Sequence, residues 1–192
     1  AFNRSGLKLE YSSGFHPHPK LRFSPPLAVG IESVCEILDF DLKGDRYTGS
    51  EVMDTLGRQL PEGLKPLDLQ EISLNEPSVS GIIGSIEYKI SADGSITGED
   101  FVRGMERFES VSELLVVRAH KGKVKTRNLK EWIEILNVID QALVMRVRST
   151  NSGSLNPLDA VAVLLDRERN EVASLEILKT SVTIEPLMRE ND

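Results

Sequence analysis

Two cation-rich stretches hold the residue types in this chain best suited to chemistry. The first is residues 11–26, Tyr-Ser-Ser-Gly-Phe-His-Pro-His-Pro-Lys-Leu-Arg-Phe-Ser-Pro-Pro, with two of the three histidines and four of the nine prolines. No acidic residue lies between Glu10 and Glu32. His16 and His18 are two apart, which on extended backbone puts both on one side. They could contact phosphate together with Lys20 and Arg22, or serve as acid and base near neutral pH. Proline cannot donate to a ladder and belongs at edges, turns or bulges, so this stretch is expected to be an exposed basic loop or bent hairpin arm. Phe15 and Phe23 are suited to stacking on bases and equally to a core, whereas Phe2 is expected in the core.

The second stretch, residues 114–130, carries Arg118, Lys121, Lys123, Lys125, Arg127 and Lys130 with His120 and no acid. The formal net charge of the chain is -7, so two local basic strips on an acidic body argue for a directed anion-binding face. Lysines on an edge hairpin also guard against strand-to-strand aggregation, and that explanation stays open. Gly122 suits a tight turn, because neither a Walker pattern nor a dinucleotide fingerprint is present.

Other chemistry is poorly supplied. A metal at His16 and His18 needs further ligands, and only His120, Cys35 and scattered carboxylates are on offer, so neither a metal nor a cofactor is expected. The single cysteine forbids an internal disulfide and a thiolate-held iron–sulfur cluster within this chain. Cys35, between Val34 and Ile37, has the setting of a small buried hydrophobe. Ser12 and Ser13 have no triad partners.

These residues must be positioned by ordinary elements. With 192 residues and 40% hydrophobic content the chain can bury a sizeable core. It has no run of ~18 apolar residues and no leader pattern, so a cytoplasmic protein without membrane contact is expected. Residues 1–5 suggest the end of a helix, with Gly6 in the left-handed conformation after it. Leu7, Leu9 and Tyr11, then Leu21 and Phe23, then Ile37, Phe40 and Leu42 alternate as strands. A helix capped by Ser50 is expected over residues 51–60, and a strand over 64–72.

The second half opens with a strand through Ile86, Tyr88 and Ile90. A helix capped by Thr97 and Asp100 follows, with Phe101, Met105 and Phe108 inward. Strands are expected from Leu114 to Arg118, after a short turn at Leu129, from Ala142 to Arg148, and at Leu175, Ile177, Val182 and Ile184. Asn156-Pro157 starts a helix. This order is that of two tandem ferredoxin-like (split βαβ) α+β halves. They divide as residues 1–76 and 77–192, the first lacking its N-terminal strand and most of its first helix. Both basic strips should then fall on the arm joining the second and third strands.

The run from Leu7 to Asp39, centred on Gly14-Phe15-His16-Pro17-His18-Pro19-Lys20, resembles the signature of the radical SAM-linked protein family, with echoes at residues 121–126 and 153–157. Members of that family are fused to, or encoded beside, radical SAM enzymes, often close to RNA-processing genes. The resemblance implies a radical SAM enzyme as partner and places the radical chemistry there, so this chain is not expected to be an enzyme itself. The family's upstream Ser-His-Leu-Asp type motif has no counterpart after Ala1 and is not carried over.

Three functional expectations follow. One is an accessory protein that holds RNA or another anionic substrate on basic hairpin arms, through His16, His18, Lys20 and Arg22 and through Arg118, His120, Lys121, Lys123, Lys125 and Arg127. A second is a small RNA-processing enzyme using His16 or His18 as general acid or base. The third is a structural docking domain.

Overall fold

The computed structural model of the chain describes residues 1–44, 47–120, 122–150 and 153–185, the side chains of His120 and Lys123 excepted. It is a mixed α+β structure with six helices and three sheets among the described residues. Contacts divide it into two compact units. One comprises Ala1–Phe23 and Ile37–Val79, the other Ser24–Glu36 and the chain from Ser80 onward.

In the first unit α1 (Phe2–Ser5) ends at Gly6, whose φ of 76° is the left-handed cap expected from the sequence. The following segment makes only single bridges, Leu9 to Leu42 and Tyr11 to Pro19. The true ladder here is antiparallel, β1 (Leu21–Phe23) against β3 (Leu38–Phe40). Between them in sequence lies β2 (Ile31–Ser33), which belongs to the second unit.

Helix α2 (Gly49–Gly57) starts two residues earlier than expected and ends three residues earlier. Thr48, not Ser50, is its cap: the Thr48 hydroxyl accepts from the Glu51 backbone N–H while the Glu51 carboxylate accepts from that of Thr48. Such a reciprocal box satisfies two otherwise orphaned donors, which a lone serine at 50 does not. Leu7, Val52 and Leu56 form the core of the unit, with Phe2, Phe40, Leu42, Tyr47 and Leu69 packed on it. The strand expected over residues 64–72 does not form. Pro66 interrupts it, no neighbouring strand pairs with it among the described residues, and Leu64, Leu67 and Ile72 stay exposed.

The second unit resumes at Ser80 within α3 (Val79–Ile82), which leads into β4 (Ile83–Ser91), and α4 (Gly98–Ser110) carries the expected Thr97–Asp100 capping box. Strands β5 (Leu115–His120) and β6 (Lys123–Asn128) form a hairpin of their own. Asn128 caps the short α5 (Leu129–Trp132), followed by β7 (Ile133–Ile139), β8 (Ala142–Thr150) and the two-residue β9 (Gly153–Ser154). Asn156 accepts from the N–H groups of Leu158 and Asp159 to cap α6 (Pro157–Leu165), and β10 (Glu176–Ile184) closes the sheet.

The main sheet runs β2-β10-β4-β8-β7, parallel between β2 and β10 and antiparallel elsewhere, with β9 added to β8. Its buried face carries Ile86, Tyr88 and Ile90 opposite Val147, Met145 and Leu143. Helix α4 packs against β7 and β8, and α4 and α6 lie so close to each other that a methyl group added at Gly104 would come within 2.9 Å of Leu165 Cδ2. The basic strip lies elsewhere than expected. It is not on an arm joining the second and third strands of this sheet; β5 and β6 stand between α4 and β7 as a separate ladder. The cause is local: Gly122, with φ 73°, turns β5 onto β6, and the Leu129 N–H bonded to the Leu114 carbonyl shuts the base of the hairpin.

One inward position breaks the apolar pattern. Lys179 on β10 pairs in register with Tyr88 on one side and Ser33 on the other, and is only 1% exposed. Its ammonium lies 2.7 Å from the Glu36 carboxylate, because a lysine is buried only when paired. Glu36→Ala, leaving that ammonium without its partner, is expected to lower stability by about 3 kcal/mol, and adding Lys179→Met should restore most of it. Urea denaturation of the two variants checks this, and a neutral Glu36→Ala would refute it.

Candidate functional site

The first basic stretch is a tied loop. Tyr11 and Pro19 bridge its base, the Ser12 N–H donates to the His18 carbonyl at 2.8 Å, and the His18 N–H donates to Ser12 Oγ at 3.0 Å. His16 and His18 are exposed on it. Phe15 is 97% exposed and meets the His16 ring edge-on at 5.5 Å. Phe23 is exposed as well, while Phe2 packs on Phe40 at 5.0 Å as a core residue.

Lys20 and Arg22 are not loose cations. Asp41, just past β3, lies 3.4 Å from Lys20 Nζ and accepts two hydrogen bonds from the Arg22 guanidinium, at 3.0 and 3.4 Å. Backbone bonds bring the three together: Glu10 N–H to Asp41 O, Lys20 N–H to Glu10 O, and Asp41 N–H to Lys20 O. The Arg22 hydrogen bond, aided by Lys20, holds the Asp41 carboxyl below its ordinary range.

The second stretch is spread over a hairpin with fixed register. Arg118 stands opposite Lys125, Val116 opposite Arg127, and His120 opposite Lys123. Since strand residues alternate between faces, Arg118, Lys125 and Arg127 share one face. Several of these cations are anchored. Arg118 reaches Asp159 on α6 at 3.3 Å, a carboxylate also held by Arg169 at 2.6 Å. The Arg127 guanidinium stacks 4.1 Å above the Trp132 ring and donates to the Ser154 carbonyl. Burial lowers its pKa. Lys130 sits 4.2 Å over the Phe108 ring and donates to the Phe108 carbonyl. Lys125 is exposed and has no ion-pair partner among the described residues. Lys121 and the side chains of His120 and Lys123 lie outside the described residues.

Beside β6 runs an open groove of about 500 Å³, lined among others by Leu115, Lys125, Arg127, Glu113, Glu131 and Trp132. It was not foreseen from the sequence. Neither was a polar cluster around Lys179, where Ser33 and Ser24 also donate to Glu36, and the Cys35 thiol points to the Lys179 carbonyl at 3.6 Å. Burial pushes the Cys35 thiol up, and burial with the nearby Glu36 charge pushes Tyr88 up to about 12. The signal for Lys179 was present in the alternation Leu175, Ile177, Lys179, which places the lysine inward. Among the described residues, no three of His, Cys, Asp or Glu converge as a metal site, and no helix is long and apolar enough to cross a membrane.

A carboxylate whose folded pKa is depressed stabilises the fold above its unfolded value and loses that contribution as pH falls through the folded one. Asp41→Asn is therefore expected to cost about 1 kcal/mol at neutral pH, a modest figure because Lys20 and Arg22 are partly hydrated. The difference should vanish as the solution is acidified below the carboxylate range. Urea titrations of both proteins across pH give the comparison, and a gap independent of pH would contradict this role for Asp41.

No curated protein and no solved structure matches the chain. The family described as "Uncharacterized protein conserved in bacteria (DUF2344)" matches over residues 1–157. That span takes in the histidine loop, the β5–β6 hairpin and the start of α6, and the chain belongs to the DUF2344 family.

Proposed function

We propose that this chain is a non-catalytic accessory protein of the cytoplasm that holds RNA for a radical SAM enzyme, with the β5–β6 hairpin as its main anion contact. The observation that carries the RNA contact is the hairpin register, which gathers Arg118, Lys125 and Arg127 on one face with the His120–Lys123 pair at the tip. Clustered charge of one sign raises the local potential felt by a polyanion even when single cations are anchored. The radical SAM partner rests on the resemblance in residues 7–39.

Binding is the reading we take forward because the cations of the hairpin share one face. RNA cleavage by His16 or His18 remains the alternative, and incubation of RNA with the protein and with its His16→Ala and His18→Ala variants separates the two. We also read the second unit as ferredoxin-like. Supporting that reading is the order β10-β4-β8-β7, all antiparallel, with α4 and α6 as its two crossing helices. On this reading the basic hairpin is an insertion after the first helix and β2 an added edge strand. The tandem reading extends to the first unit only through α2 and the β1–β3 pair.

Binding of a labelled RNA oligonucleotide, followed by fluorescence anisotropy across a salt series, tests the RNA contact. Replacing Lys123 and Lys125 together by alanine should weaken binding at low salt. It should also flatten the slope of log affinity against log salt by about 0.7 per lost single-strand phosphate contact. Equal affinity and slope for the two proteins would refute it. For the partner, the chain should co-purify with a co-expressed radical SAM enzyme of the same organism, and failure to do so would count against that half of the proposal.

A further inference from the structure

A flat cationic face takes any polyanion, duplex or single strand, but the groove beside β6 has a different character. Its lining mixes signs: Glu113 and Glu131 stand with Lys125 and Arg127. Two carboxylates repel phosphate, yet they can accept hydrogen bonds from exocyclic base amines. The Arg127 guanidinium lies 4.1 Å above the Trp132 ring, so each covers one face of the other, and an unpaired base entering the groove would extend this stack from a face left uncovered. At about 500 Å³ the groove falls in the usual range of ~300–1,000 Å³ for small-molecule pockets.

We infer that this groove receives an unpaired base, with the flanking phosphate on Lys125, so that the guest is single-stranded RNA. The inference deepens the proposed function and rests on its anion-binding reading. The bases of a duplex are stacked and paired, and cannot enter such a groove without unpairing.

Trp132 is the only tryptophan in the chain, which makes its fluorescence a reporter of the groove. The full chain is titrated with a single-stranded RNA, an abasic strand of the same length and an RNA duplex, with labelled strands giving affinities by anisotropy. The expected result is quenching of Trp132 by the single strand alone. Trp132→Leu should weaken single-strand binding about tenfold or more, with Trp132→Phe in between. Affinity for the abasic strand should fall much less than affinity for the single strand in both variants, and far-UV circular dichroism of each shows that it folds. Equal binding of all three ligands without a change in Trp132 emission would overturn the base groove and leave the anion-binding reading standing. Binding of none of them would overturn both.

Discussion

An ammonium group buried away from water costs several kcal/mol unless an opposite charge meets it, and the larger unit is built around one such group. Lys179 occupies an inward position of β10, in line with Tyr88 and Ser33 on its two neighbours. Glu36 supplies the charge at 2.7 Å and is itself held by Ser33 and Ser24. For this pair to exist, Ser24–Glu36 must lie along β10, and it does so as the parallel strand β2, with the Val34 N–H donating to the Lys179 carbonyl. Strand β10 is thereby paired on both edges, and the sheet gains an edge strand from a distant part of the chain.

Charge is arranged by a similar economy. The two basic strips look unopposed along the sequence, but several of their cations are opposed or covered in space. Asp41 meets Lys20 and Arg22, Asp159 meets Arg118, and aromatic rings cover Arg127 and Lys130. These contacts hold the cations in place without cancelling them, since most remain partly exposed. A positioned cation loses less conformational freedom when it meets an anion than a loose one does, which suits a binding face.

The hairpin is amphipathic in a way that explains both its stability and its exposure. Its cationic face also carries the buried Val116, and the opposite face presents Leu115, Val117 and Val124 to solvent. Asn128 serves two ends at once, accepting from the Leu114 N–H at the base of the hairpin and from the Lys130 N–H at the start of α5. One side chain thus fixes where β6 stops and where Trp132 is placed.

By itself the sequence determined what nearby residues settle among themselves. The Thr97–Asp100 box, the Asn156-Pro157 helix start, the Gly6 cap and the alternation through β8 were legible because each is decided within a few residues. Short-range choice also has limits, as Thr48 in place of Ser50 shows, where the reciprocal partner Glu51 decided the cap. Tertiary structure alone decided the pairings. Alternation says that one face of a strand is buried but not which strand lies beside it, so residues 64–72 carried a strand pattern without finding a ladder. Asp41 for Arg22, Glu36 for Lys179 and Trp132 under Arg127 are matches across a folded surface. Electrostatic attraction and burial act through space, and a linear reading of charge cannot see who will be near.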